Sequence, residues 1–81
     1  MTTIEKAIQE GLAELRKKDL HTIQVETAIK WCGRACAAAL LGRHDDAEEY
    51  AHEAIEHAAL SGDDRLLASV RRAQRAHGVE V

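Results

Sequence analysis

The stretch that decides the fold is Thr22-Ile23-Gln24-Val25-Glu26-Thr27-Ala28-Ile29-Lys30-Trp31-Cys32-Gly33-Arg34-Ala35-Cys36-Ala37-Ala38-Ala39-Leu40-Leu41, closed by Gly42. Along it Val25, Ala28, Ile29, Cys32, Ala35, Cys36, Ala39 and Leu40 recur at three- and four-residue steps, the period of a helix with one apolar stripe. Trp31, Ala38 and Leu41 widen the stripe at its far end, and residues 35–41 are apolar all round. The spacing therefore predicts a central helix over about 22–41, buried on several sides. Gly42 suits the left-handed position that closes such a helix.

Upstream, Thr2-x-x-Glu5 has the form of a capping box, and Ile4, Ala7, Ile8, Gly11, Leu12 and Leu15 follow at helical spacing. An amphipathic helix is predicted over about 3–18. It ends on Arg16-Lys17-Lys18, where cations suit the negative end of the helix dipole, and residues 19–22 read as the break. Downstream, Asp45-x-x-Glu48 restarts the chain with acids in a first turn. Ala47, Tyr50, Ala51, Ala54, Ile55, Ala58 and Ala59 share one face of a helix over about 45–60, opposite Glu49, His52, Glu53 and Glu56. After Ser61-Gly62-Asp63, the positions Leu66, Leu67, Val70, Ala73 and Ala76 mark a last helix over about 63–77 that stops at Gly78.

The expected fold is all-α: four antiparallel helices with short connections, in one domain over 1–81. Composition agrees. Of the 81 residues 46% are hydrophobic, with no Pro, no Phe, one Trp and one Tyr, so the core rests on Ala, Leu and Ile. Those residues favour or tolerate helix, and small ones gain contact only when helix backbones approach closely. A chain this short buries little more than ~60% of its unfolded surface, which makes self-association one route to stability.

The central pair of helices resembles one tetratricopeptide repeat, whose pattern runs W-x2-L-G-x2-Y, then A-x3-F, then P, over about 34 residues. Trp31 sets the register. Ala35 stands at the family's small Gly, Gly42 in the turn between helices, Ala47 at the small crossing residue, Ala51 at the Phe place and Ala54 at a further small contact. Arg34 departs from the family's Leu, Ala38 and Ala51 from its aromatics, and Ala59 from its closing Pro. The likeness covers about 28–59, roughly two fifths of the chain. It implies either a right-handed array of half, one and half repeats, with 3–18 and 63–77 as the flanking halves, or else the residues describe a plain four-helix bundle. The resemblance also implies a protein or peptide ligand along the stripe Ile29, Cys32, Cys36 and Leu40. So much apolar surface is expected to be covered, by helix 3–18 or by a second copy of the chain.

Other chemistries find less support. Cys32 and Cys36 lie four apart on one helix, which holds their Cβ atoms about 6 Å apart, too far for the roughly 3.5–4.5 Å of a disulfide. Free thiols and a reducing, cytoplasmic address are expected. A structural zinc site wants four ligands, and only a dimer would supply them from these two cysteines. Glu49-x-x-His52 has the spacing of a di-iron helical unit, but no second unit exists and both residues fall on the charged face. No His can be set beside Cys32 from sequence, so no catalytic residue, cofactor or metal ligand is assigned. A formal charge of −3 argues against nucleic acid, and the cluster Arg65, Arg71, Arg72 and Arg75 finds a ready partner in the acids of helix 45–57. No apolar run approaches the ~18 residues of a membrane span. The sequence thus predicts a non-enzymatic, self-associating protein-interaction module, a homodimer, with Ile29, Trp31, Cys32, Ala35, Cys36, Leu40, Ala47 and Tyr50 as its interaction or packing residues. A thiol- or metal-dependent bundle using Cys32 and Cys36, and a purely structural subunit, are the other readings.

Overall fold

The computed structural model describes residues 2–80, and they form three helices rather than four. Helix α1 runs Thr3–Leu40, α2 His44–Ser61 and α3 Asp64–Ala76, with no strand among the described residues. The predicted break at 19–22 is absent. Asp19, His21 and Thr22 are mediocre helix formers, but none is Gly or Pro, so each keeps its backbone N–H and its place in the hydrogen-bond ladder. At the same point two side chains tie α1 to the end of α2: His21 Nδ1 donates to the Ser61 carbonyl at 2.9 Å, and His57 Nδ1 donates to Gln24 Oε1 at 2.6 Å. The helix expected at 3–18 is therefore the first half of α1 and is not antiparallel to the second half.

Thr2 caps α1, its side-chain oxygen accepting from the Glu5 N–H at 3.1 Å. The far end closes as the sequence predicts. Gly42 takes φ 74°, and the N–H groups of Gly42 and Arg43 turn back to the Ala39 and Ala38 carbonyls. The same paired closure ends α3, where Gly78 has φ 76° and the N–H of Val79 bonds the Gln74 carbonyl at 2.8 Å. Asp63 caps α3 by accepting from Arg65 and Leu66.

Helix α2 folds back along residues 21–40 of α1 and no further, because 18 residues span about 27 Å while the 38 of α1 span about 57 Å. The molecule is accordingly long, 60 × 18 × 13 Å. The core lies in its C-terminal half. Ala28, Ala35, Ala51, Ala54 and Ala58 are completely buried, and Ala38 and Ala47 nearly so, which sets two helix backbones against each other with methyl groups between. Val70 of α3 joins Ala28, Cys32, Ala54 and Ala58, and Val79 folds back onto Ala35, Ala38, Ala47 and Ala51. Gln74, 1% exposed, is a buried polar side chain whose Nε2 donates to the Ala51 carbonyl at 3.2 Å and so fixes α3 against α2.

Candidate functional site

The residues read as a site divide into three groups. Ala35, Ala47 and Cys32 pack inside the hairpin. Trp31 and Tyr50 meet across α1 and α2 at its side, ring centroids 5.4 Å apart and tilted 36°, with the Arg34 guanidinium 4.8 Å from the indole. That arrangement combines aromatic contact with a cation over the electron-rich ring face.

Ile29 and Leu40 point outward, Leu40 with 75% of its surface exposed, and Cys36 is half-buried beside them. The expectation that helix 3–18 covers this stripe fails within the chain, because that segment continues straight ahead instead of returning. What lies there instead is a shallow groove between α1 and α3. Ile29, Gly33 and Cys36 form one wall, Leu66, Ser69 and Ala73 the other, enclosing about 330 Å³ with almost wholly apolar walls. Leu41 and Ala59, also read as apolar-face positions, are exposed.

The uncovered apolar surface continues onto the first half of α1. Ile4, Ile8, Leu12, Leu15, Leu20 and Ile23 are all exposed, from 42% at Leu12 to 74% at Ile4. Sequence reasoning found Ile4, Ile8, Leu12 and Leu15 on one face and expected their helix to cover the stripe of 22–41, but did not extend the face to Leu20 and Ile23; an amphipathic helix carries no label saying which neighbour covers it. It passed over Gly33, in the α1 wall of the groove, and Gln74. Gln74 follows Val70 by one helical turn, a polar residue on an apolar face, and that was the available signal.

The two thiols are free. Each lies near an α3 carbonyl, Cys32 Sγ 3.9 Å from that of Val70 and Cys36 Sγ 3.8 Å from that of Ala73. Burial, reinforced by the neighbouring Cys36, pushes the Cys32 thiol up to about 11, so at neutral pH it is protonated and a poor nucleophile. Among the described residues no three His, Cys, Asp or Glu side chains converge as metal ligands. Glu49 and His52 are exposed on the outer face of α2. Arg65, Arg71, Arg72 and Arg75 are exposed as well, and the ion pairs among the described residues, Arg43 with Asp46 and His57 with Glu53, do not include them. Nor does any described helix combine the length and apolarity to cross a membrane. No family model matches this sequence, and neither does any curated protein or solved structure.

Proposed function

We propose that this protein is a small helical protein-interaction module that associates with itself and catalyses no reaction. The observation that carries this reading is the unaccompanied first half of α1, where Ile4, Ile8, Leu12 and Leu15 stand exposed on an amphipathic helix. An isolated helix of that length is marginal in water, and an apolar stripe beside an apolar groove is the kind of surface that a protein partner covers. A tetratricopeptide-like unit remains our reading of the hairpin. It is supported by the small residues Ala35 and Ala47 at the close crossing, Gly42 in the turn and Trp31 set against Tyr50. Two unpaired thiols suit a reducing compartment such as the cytoplasm.

Light scattering on the eluting protein across a concentration series tests the proposal. A mass of twice 8.9 kDa at micromolar concentration is expected. A protein that stays monomeric to about 100 μM, where a dimer with a Kd near 1 μM would be fully formed, removes self-association.

A further inference from the structure

One line of side chains on α1 occupies one position per turn from end to end: Ile4, Ile8, Gly11, Leu15, Lys18, Thr22, Glu26, Ile29, Gly33, Cys36 and Leu40. Steps of three and four residues over about ten turns keep it on one face of a straight helix. α2 and α3 leave this line accessible, with Cys36 half-buried beside α3. The line is also symmetric about Thr22. Ile4 and Leu40 are equidistant from it, as are Ile8 and Cys36, Gly11 and Gly33, and Leu15 and Ile29. Lys18 and Glu26, at equal distances on either side, are opposite in charge.

Resting on the self-association proposed above, the geometry points to a specific occupant of this face: a second copy of the chain, its α1 antiparallel to the first, with the two-fold axis at Thr22. In that register apolar residues meet apolar ones and each Lys18 meets the other copy's Glu26. The first half of each α1 then lies along the groove beside Ile29, Gly33 and Cys36 of the other copy, so one contact covers both unpartnered surfaces. A parallel pair would set like charges together.

The glycines supply an independent reason. A helix-interior Gly is less stable than Ala, yet a Cβ added to Gly11 or Gly33 would meet nothing in its own chain. Nothing within the monomer demands either glycine. Opposed across the two-fold, they let the two backbones approach at two symmetric points. Covering the five large apolar side chains of the line hides roughly 100 Å² each, on the order of 1,000 Å² over both copies, and Lys18 and Glu26 bring the total to about the lower edge of a stable specific interface.

Two charge-reversed variants test the register, their helicity checked by circular dichroism. Lys18→Glu and Glu26→Lys should each weaken the dimer at least tenfold, and mixing the two should restore dimerisation as a heterodimer. Oxidised Thr22→Cys should cross-link to itself, whereas Lys17→Cys, on the opposite side of α1, should not. A wild-type dimer that ignores both charge variants and does not cross-link through Thr22→Cys would overturn this register while leaving self-association standing. A wild-type chain monomeric at about 100 μM would remove both.

Discussion

Residues 3–20 and 28–40 belong to one helix and obey the same backbone rules, yet the first segment touches almost nothing while the second is sheathed by α2 and α3. The first carries the large side chains, Ile4, Ile8, Leu12 and Leu15, and leaves them in water; the second carries small ones, Ala28, Cys32, Ala35 and Ala38, and buries them. Large residues are thus no guide to the core of this chain. A helix backbone can be approached closely only where side chains are short, so the alanine-rich half attracts its neighbours within the chain and the leucine-rich half is left for a partner.

Hydrogen exchange should show the largest contrast between the two segments. Under monomeric conditions, amides of 5–18 are expected to exchange within about tenfold of an unfolded chain, as an unsupported helix does, and those of 30–38 at least ~10³-fold slower. Equal protection in both would mean that the first half is covered within the monomer. Next in size is overpacking. Ala35→Leu should cost about 1–3 kcal/mol in urea denaturation, because that site is completely buried, whereas Ala13→Leu should stay within about 0.5 kcal/mol.

Gln74→Ala should cost about 1–2 kcal/mol through the lost bond to the Ala51 carbonyl, loosening α3 while leaving exchange in residues 5–18 unaltered. Gly42→Ala comes close behind at about 1 kcal/mol. No neighbouring atom opposes its methyl group, so the loss would come from φ 74° alone. The smallest effect is on pH dependence. Cys32 ionises near 11 when folded against 9.0 ordinarily, so between those values the unfolded chain gives up the proton first. The share of stability that depends on Cys32 should therefore be constant below pH 9 and decline from 9 towards 11, and Cys32→Ala should remove that share of the slope.

The punctuation of this chain was legible where a special backbone angle demanded a special residue. Gly42 and Gly78 take positive φ at helix ends, and Asp63 caps α3. So was the alanine face of α2, since Ala47, Ala51, Ala54 and Ala58 repeat every three or four residues and are all buried. The false break at residues 19–22 came from weighing propensities that total a fraction of a kcal/mol per residue, too little to interrupt a ladder whose flanks both favour helix. Ile29 and Leu40 share the period of the stripe on α1, and a period alone does not tell which edge of the stripe the neighbouring helices leave open. The return of Val79 onto the hairpin and the contact of Gln74 with Ala51 both depend on tertiary distances that no local period encodes.

The indole of Trp31, 5.4 Å from the ring of Tyr50, is the chain's single strong fluorophore, and its nearest phenol is an efficient donor of excitation energy. Its emission consequently reports the parting of α1 from α2 and is blind to residues 3–20. A melt followed by fluorescence would leave the unwinding of half the longest helix unseen, whereas far-ultraviolet ellipticity would record it, so disagreement between the two signals measures how independently that half behaves.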